Sequence, residues 1–200
     1  MEPGGRMDRL CWNGRYRKVT GPGQPARLLL EWAPRLPAGR ALDVACGTGA
    51  NTLALAEHFR ARAPNGAARV AGVDISIAAL RIAVEAARQR KLAVDFIAAD
   101  LTRYPLPRAY FDVICVFRYL DRAIAPALVE TLKPGGWLLY QTFTVEQLAL
   151  GYGPRSPEHL LRPGELRELF TGCTVLHYDE GVEMLAGRRA ALASLVARRP

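Results

Sequence analysis

Cysteine is scarce in this sequence, and long apolar runs are absent. The four cysteines (Cys11, Cys46, Cys115 and Cys173) are far apart and include no Cys-x-x-Cys pair, which argues against a disulfide framework or a zinc site. No stretch approaches the roughly 18–20 consecutive apolar residues of a membrane-spanning helix. Residues 1–6 are polar and lack the apolar segment of a signal peptide. These absences predict a cytoplasmic protein with no metal site and no membrane contact.

Lysine is also scarce, since Lys18, Lys91 and Lys133 are the only ones, so arginine supplies most of the positive charge. The 27 basic residues outnumber the 19 acidic residues and give a net charge of +8, which is a possible signature of nucleic-acid binding. However, the arginines are scattered and form no run of five or six cations. This scatter disfavours a nucleic-acid partner, although nucleic-acid binding remains an alternative. Attraction of a small anionic substrate explains the charge at least as well.

The chain of 200 residues suits one main domain, which we place at residues 25–200, preceded by an N-terminal arm at residues 1–24. Residues 1–11 are expected to be disordered or loosely attached. The stretch from Trp12 to Lys18 mixes two aromatic residues with three cations. Two interpretations of the arm remain open: it packs on the domain surface through Trp12, or it forms a lid in which Arg15 or Arg17 reaches a carboxylate.

Short apolar runs alternate with helical patterns along the chain, which implies a parallel sheet with helices on both faces. The predicted strands are residues 41–45, 69–74, 92–97, 111–117 and 137–143, the last entered through a tight turn at residues 133–136. Predicted helices cover residues 25–32 and 164–170, with others after Gly49, after a Ser76 cap and around Leu128. Strands at residues 174–178 and 190–196 predict an antiparallel edge hairpin. The expected fold is α/β, with a doubly wound, mostly parallel seven-stranded sheet in three α/β/α layers.

The stretch from Arg40 to Asn51 carries the first site signal. An apolar run containing Asp43 breaks at Gly47 and Gly49, and a helical pattern follows. Glycines in a strand-to-helix turn let the backbone turn sharply and approach a ligand. The helix start adds unpaired N–H groups and a positive dipole end.

Acidic residues follow the next two predicted strands, at Asp74 and Asp100. Ligands of open α/β sheets bind beyond the carboxyl ends of the strands, so both acids, the glycine turn and Phe117–Tyr119 are expected to share one cleft. Asp74 can accept hydrogen bonds from ribose hydroxyls, which suits either NAD(P) or S-adenosylmethionine. Thr52 in place of a third glycine, an acid inside the first strand and the short chain disfavour an NAD(P)-dependent oxidoreductase, which remains the alternative.

Five ordered motifs give the chain a resemblance to the class I S-adenosylmethionine-dependent methyltransferases. They are residues 43–49 (DVACGTG), 73–74 (VD), 99–101 (ADL), 111–114 (FDVI) and 132–136 (LKPGG). The similarity runs from about Arg40 to the end of the chain. Ala45 replaces the first glycine of the commonest pattern.

The resemblance implies roles for individual residues toward S-adenosylmethionine. Gly47 and Gly49 would pass the methionine moiety, and Asp43 would help to hold its amino group. Asp74 would bind the ribose, with Ile75 against the adenine. The other implied cofactor contacts are Arg17 from the arm, Ala45 in the glycine turn, Asp100 at the adenine amino group with Leu101 beside it, and Phe117 near the sulfonium.

Within that class the chain most resembles the tellurite-resistance (chalcogen-oxyanion) methyltransferases and their thiopurine-methylating relatives. The resemblance rests on Arg15–Tyr16, residues 160–166 (LLRPGEL) and residues 178–182 (YDEGV). Those proteins tend to carry His and Arg near the last hairpin, whereas here Arg188 and Arg189 stand without a histidine. The implied acceptor is a small anionic or soft (thiol or chalcogen) molecule.

The candidate catalytic residues are Arg118, Tyr119 and His159. Arg118 could orient an anionic acceptor or simply pair with a nearby acid, and His159 lies in a loop expected to cover the cleft. No histidine stands directly after the fourth strand to serve as a base. Phe117–Leu120 stands where DNA amino methylases carry Asp/Asn-Pro-Pro-aromatic, although an RNA-modifying methyltransferase remains an alternative. Weaker lid candidates are Tyr152 and Arg155, and we expect a monomer or a homodimer.

Overall fold

A computed structural model describes residues 4–63 and 66–200. The seven strands lie in the order β3-β2-β1-β4-β5-β7-β6. They are β1 (Arg40–Val44), β2 (Arg69–Asp74), β3 (Asp95–Ala98), β4 (Phe111–Phe117), β5 (Leu132–Phe143), β6 (Thr174–Leu185) and β7 (Arg188–Arg198). The helices are α1 (Gly4–Tyr16), α2 (Arg27–Trp32), α3 (Ala50–Arg62), α4 (Ile77–Gln89), α5 (Ala125–Thr131) and α6 (Glu165–Leu169). Short 3-10 turns cover Ala33–Arg35, Val145–Leu150 and Pro157–His159.

The sheet is mostly parallel with an antiparallel hairpin at one edge. β1 pairs in parallel with β2, β2 with β3, and β4 with β5, whereas β7 pairs antiparallel with both β5 and β6. The predicted α/β fold with a seven-stranded sheet and an edge hairpin is therefore confirmed. Within the described residues, none of the helices combines the length and the apolar character needed to cross a bilayer.

The chain divides into two compact units, the first ending at Pro105. In this unit Leu42 and Val44 of β1 are at most 2% exposed, as expected for a parallel strand that is covered on both faces. Ser76 caps α4 as predicted, its side chain accepting a 3.2 Å hydrogen bond from the Ala79 N–H. These elements place the ends of three parallel strands side by side.

The second unit, Leu106–Pro200, contains β4 to β7. Cys115 is fully buried in β4. The antiparallel register aligns Phe143 of β5 with Leu192 of β7. Behind β5, Tyr140 packs against Phe170 with ring centroids 5.6 Å apart. The loops that follow β4 and β5 project from this buried frame.

Several predicted boundaries are wrong. Helix α1 is Gly4–Tyr16, so disorder is wrong for residues 4–11, whereas loose attachment stays a prediction and residues 1–3 lie outside the described residues. β5 begins at Leu132, which pairs with Phe111, so residues 133–136 belong to the strand and not to a turn before it. A register shift between Phe111 and Val113 accommodates these additional residues. Both hairpin strands are longer than predicted because they pair along nearly their whole length.

Candidate cofactor site and acceptor loops

The turn after β1 requires glycine at two positions. Gly47 and Gly49 have φ values of +54° and +83°, a region that glycine enters without steric cost. A Cβ on Gly47 would lie 2.9 Å from the Tyr16 hydroxyl, and one on Gly49 would lie 2.8 Å from the Ala83 Cβ. The turn is thus a close-packed cradle, and Gly49 is the residue from which α3 begins.

Ala45 has the same left-handed backbone, with φ of +54°. This explains why glycine is the commonest residue at that point of the motif, since alanine there carries strain of about 1–2 kcal/mol. Beyond Ala45 the backbone remains hydrogen-bonded to β2, because the Cys46 N–H donates to the Val73 carbonyl at 3.0 Å.

Asp74, at the end of β2, fastens the glycine turn. Its Oδ2 accepts a 2.7 Å hydrogen bond from the Gly47 N–H, and its Oδ1 accepts one of 2.7 Å from the Ser76 N–H. Burial raises the pKa of Asp74, and these backbone hydrogen bonds act in the opposite direction. The Ile75 N–H also contributes a hydrogen bond, and because a carboxylate accepts about four, Asp74 retains acceptor capacity for a ribose hydroxyl.

Asp43 lies one strand away in β1 and is 1% exposed. Its Oδ2 accepts a 2.6 Å hydrogen bond from the Thr52 hydroxyl. Thr52 therefore has a role that the sequence interpretation missed: the residue in the third-glycine position holds the strand acid. Burial, followed by the charges of Asp43 and Asp74, raises the pKa of the nearby Cys46 thiol well above its usual value, so this thiol is neutral.

Asp100 follows β3 and forms a local turn. Its Oδ1 accepts hydrogen bonds from Thr102, at 3.1 Å from the backbone N–H and 2.7 Å from the hydroxyl. Because the Ala99 N–H donates to the Asp74 carbonyl at 3.1 Å, Asp100 is held beside the end of β2. Ile75 and Leu101 are half-buried at the same two strand ends. The first unit thus gathers Asp43, the glycine turn, Asp74 and Asp100 at one edge.

Helix α1 of the arm packs onto this edge. Asn13 Oδ1 accepts hydrogen bonds from the Ser76 hydroxyl at 2.9 Å and the Ala78 N–H at 3.1 Å. The Tyr16 hydroxyl lies over Gly47, and Thr48 donates to the Pro22 carbonyl at 2.8 Å. Asn13 and Tyr16 therefore make the packing contacts with the domain that were expected from Trp12. Trp12 itself is 37% exposed, and its ring stacks with that of Tyr16.

Arg15 and Arg17 of the arm are both exposed. The Arg15 guanidinium lies 4.6 Å from the centroid of the Trp12 ring, within its own helix. Arg17 is exposed just beyond α1. Within the described residues, the neutral Asn13 side chain hydrogen-bonds to the start of α4, and the neutral Tyr16 hydroxyl lies over Gly47.

In the second unit, Arg118 has an unusual backbone. It follows β4 with φ of +58°, is exposed, and donates its N–H to the Gln141 carbonyl at 2.8 Å. Phe117 ends the strand, is 5% exposed and aligns with Gln141 of β5. The Tyr119 carbonyl accepts a 3.0 Å hydrogen bond from the buried Tyr140 hydroxyl. This left-handed arginine is therefore fixed on both sides, as strained residues at functional sites often are.

The loops after β5 are also firmly held. Gln147, fully buried, donates to the Tyr152 carbonyl at 2.8 Å and accepts from the Ala191 N–H at 2.9 Å. The Arg188 guanidinium lies 3.8 Å from the Tyr152 ring centroid, and the Tyr152 hydroxyl donates to the Arg189 carbonyl. Sequence reasoning missed Gln147, because a single glutamine in a short segment gives no pattern.

The remaining predicted residues of this region are solvent-accessible. His159 ends the 3-10 turn Pro157–His159, with its side chain 59% exposed and 3.7 Å from the Glu158 carboxylate. Arg155 is exposed in the preceding loop and donates to the Gly151 carbonyl at 3.1 Å. Within the part of the chain that the structure describes, no three His, Cys, Asp or Glu side chains are grouped to hold a metal ion.

Comparisons with known proteins show which proteins this segment of the chain resembles. A family model described as a methyltransferase domain matches residues 41–136, the segment that runs from β1 into β5. Residues 41–136 are therefore similar to a methyltransferase domain, and S-adenosylmethionine is the cofactor that this similarity implies. The glycine cradle and the Asp74 carboxylate fit that cofactor. The alternative of an NAD(P)-dependent oxidoreductase finds no support in this match.

Two of the similar proteins are methyltransferases of small molecules. Trans-aconitate 2-methyltransferase of Sinorhizobium fredii is 39% identical over 122 residues, which cover 59% of this chain and 44% of that protein. Phosphoethanolamine N-methyltransferase of Triticum aestivum is 34% identical over 140 residues, covering 64% of this chain and 26% of that protein. The chain thus matches less than half the length of either relative.

A solved structure shares the fold. TehB from Haemophilus influenzae superposes with a TM-score of 0.70 at 20% identity, covering 86% of this chain and 61% of that one. This match supports the architecture alone.

Proposed function

We propose that this protein transfers the methyl group of S-adenosylmethionine to a small anionic acceptor by in-line displacement. The observation that carries the proposal is the 2.7 Å hydrogen bond from Gly47 N–H to Asp74 Oδ2, which joins the glycine turn to the end of β2. Both residues lie within the segment that matches the methyltransferase model. An acid and a glycine turn are held together where a nucleoside with a charged amino acid end would need them.

The chain's own residues would divide the binding of the cofactor. Asp43, held by Thr52, presents negative charge toward the amino group, and the remaining acceptor capacity of Asp74 takes a ribose hydroxyl. Ile75 and Leu101 supply apolar contact for the adenine, and Asp100 accepts from its amino group. When bound, the cofactor supplies an electrophilic methyl group with a neutral thioether as leaving group.

The acceptor side is basic, which favours an anion. Three arginines are exposed here: Arg118 just after β4, and Arg188 and Arg189 at the start of β7. The acceptors in the names of the two relatives, trans-aconitate and phosphoethanolamine, both carry anionic groups. A carboxylate is already deprotonated at neutral pH, so its methylation needs positioning about 3–3.5 Å from the methyl carbon but no general base. Arg118 would orient the anion, with Tyr119 and His159 beside it.

A soft acceptor remains the second candidate. The resemblance of the arm and the last hairpin to the tellurite-resistance methyltransferases favours a thiolate or a chalcogen oxyanion. Such nucleophiles also need no strong base, so the site chemistry does not separate them from a carboxylate.

We also propose that the arm, residues 1–24, acts as a lid over the cofactor site. The support is the contact of Asn13 with Ser76 and of the Tyr16 hydroxyl with the space over Gly47. Residues 25–200 would then form the methyltransferase domain, with Arg17 free to approach a bound carboxylate from solvent. A lid of this kind would slow cofactor exchange and keep water from the reacting atoms.

The test is a methyl-transfer screen that measures S-adenosylhomocysteine formation with trans-aconitate, phosphoethanolamine, tellurite, selenite and small thiols. Turnover with one of the organic anions supports the anionic acceptor, whereas turnover confined to thiols or chalcogen oxyanions moves the assignment to the soft class. Calorimetry with S-adenosylhomocysteine runs in parallel. A protein that neither binds this product nor methylates any compound contradicts the proposed function.

A further inference from the structure

A single arginine ties together two loops of the second unit. Arg122, at the entry to α5, forms a two-point contact with Glu165, with Nε 2.6 Å from Oε1 and Nη2 3.0 Å from Oε2. Its remaining donors reach backbone carbonyls, Nη1 to Glu158 at 2.9 Å and Nη2 to Leu160 at 2.9 Å. One guanidinium therefore has four acceptors, all in residues 158–165.

The carboxylate partner is built into the same contact. Glu165 is 4% exposed and also accepts a 2.8 Å hydrogen bond from the Arg162 N–H. The hydrogen bonds from Arg122 are the main cause that lowers the pKa of Glu165 to about 2, so the pair is charged at neutral pH. A planar fork matched to a carboxylate fixes both distance and orientation, which a point charge does not.

Both of the loops joined in this way carry residues that are candidates for binding the methyl acceptor. Arg122 follows Arg118 and Tyr119 by a few residues, and the Tyr140 hydroxyl holds the Tyr119 carbonyl in place. The other loop contains His159, between the two carbonyls that Arg122 binds. Movement of one loop therefore requires either movement of the other or loss of several charged hydrogen bonds.

We propose that Arg122 and Glu165 are positioning residues that set the distance between the Arg118–Tyr119 loop and the His159 loop, and thereby determine acceptor binding and turnover. This inference rests on the proposed function, because both loops are assigned to the acceptor. Neither residue contacts the acceptor. Their effect is on geometry, so it falls on acceptor kinetics and leaves cofactor affinity unchanged.

The experiment compares Arg122→Ala with the wild type in two measurements. With trans-aconitate as the probe acceptor, kcat/KM is expected to fall about 100-fold, because a displacement of about 1 Å far from the chemistry can cost that much. The affinity for S-adenosylhomocysteine should stay within about twofold. In the complex with S-adenosylhomocysteine, amide hydrogen exchange should accelerate in residues 118–121 and 157–165 together.

Three further variants separate positioning from simple charge and from loss of folding. Arg122→Lys keeps the charge but loses the fork, so it should restore only a small part of the activity; full restoration would overturn the inference. Arg108→Ala removes an exposed ion pair with Glu130, 2.9 Å long, and should change neither measurement. Glu165→Gln keeps the side-chain shape and replaces Arg122→Ala if that variant does not fold.

The possible results distinguish this inference from the proposed function. A wild-type protein that binds no S-adenosylhomocysteine overturns the proposed function. If the wild type binds it but leaves trans-aconitate unmodified, the exchange measurement decides: coupled acceleration of both loops supports the inference, and acceleration of one loop alone overturns it. If the wild type methylates trans-aconitate, an unchanged kcat/KM in Arg122→Ala also overturns it.

Discussion

The N–H of Gly47 donates a 2.7 Å hydrogen bond to Oδ2 of Asp74, across 27 residues of sequence. This bond connects the turn after β1 to the end of β2, and the second oxygen of Asp74 receives the Ser76 N–H at 2.7 Å. The acid thereby shapes the backbone cradle to which we assign the cofactor. The first prediction concerns this acid.

Replacing Asp74 with asparagine should abolish measurable cofactor binding. The amide keeps the shape of the side chain but removes the charge, and it offers one acceptor oxygen where the turn uses two. We expect the affinity for S-adenosylhomocysteine to fall by about 100-fold or more in calorimetry, since charge-assisted hydrogen bonds are about twice as strong as neutral ones. Asp95→Asn, an exposed acid at the start of β3, is the matched control. Equal affinities in the two variants would contradict the assignment.

Removing the Thr52 hydroxyl should destabilise the protein. Thr52→Val leaves the buried Asp43 carboxylate without the 2.6 Å hydrogen bond from this side chain. The expected loss is about 1–3 kcal/mol of unfolding free energy, the usual cost of removing the partner of a buried polar group. Chemical denaturation measures this loss, and Thr52→Ser, which retains the hydroxyl, should lose less. A valine variant as stable as the wild type would show that Asp43 does not depend on Thr52.

Glycine at position 45 should relieve strain. Ala45 has φ of +54°, where a Cβ costs about 1–2 kcal/mol. The greater chain entropy of unfolded glycine offsets about 0.5–1 kcal/mol of that gain. We therefore expect Ala45→Gly to be neutral to slightly stabilising in thermal unfolding, whereas Ala41→Gly in the neighbouring strand should be destabilising. A clear loss of stability in Ala45→Gly would mean that the alanine methyl makes a packing contribution larger than the strain.

The Arg122–Glu165 pair should make stability depend on acid pH. The pKa of Glu165 is lowered from 4.5 to about 2 in the folded protein, so the folded state favours the charged carboxylate. Its stabilising contribution is fully present above pH 4.5 and is lost as the pH falls through about 2. Glu165→Gln should therefore flatten the decrease in unfolding free energy across this window, measured by denaturation at several pH values. An unchanged slope would show that Glu165 titrates alike in both states.

The lid proposal concerns Tyr16. Its hydroxyl lies over Gly47, so Tyr16→Ala should open the cradle and speed the dissociation of S-adenosylhomocysteine. Stopped-flow displacement measures that rate, and Trp12→Ala, which removes an exposed ring of the same helix, is the control. If both variants release the product at the wild-type rate, the arm is a fixed structural element and not a lid.

The central strands were predictable because a parallel sheet buries both faces. β2 and β4 match their predicted bounds residue for residue. Each is a mainly apolar run that begins after a loop and stops at or just before a polar residue. The positions of the acids at the strand ends were predictable for the same reason. The edge hairpin was correct in kind but too short, because Asp179 and Glu180 interrupt the apolar pattern while the backbone pairing continues.

Other features depend on contacts between distant residues. Helix α1 contains Gly4, Gly5 and Gly14 and shows no clear apolar period, so its structure relies on packing such as the Asn13–Ser76 hydrogen bond across 63 residues. The Arg122–Glu165 contact spans 43 residues, and nothing in the local sequence of either residue indicates the other. Roles of this kind become visible only when side chains have positions.

A crystal structure of the protein grown with S-adenosylhomocysteine tests the central claim most directly. The expected result is that a ribose hydroxyl lies within hydrogen-bonding distance of the Asp74 carboxylate, with the amino acid end of the ligand over Gly47 and Gly49. A ligand bound elsewhere on the molecule, or a glycine turn that stays closed against Tyr16 with no ligand at saturating concentration, would contradict the account.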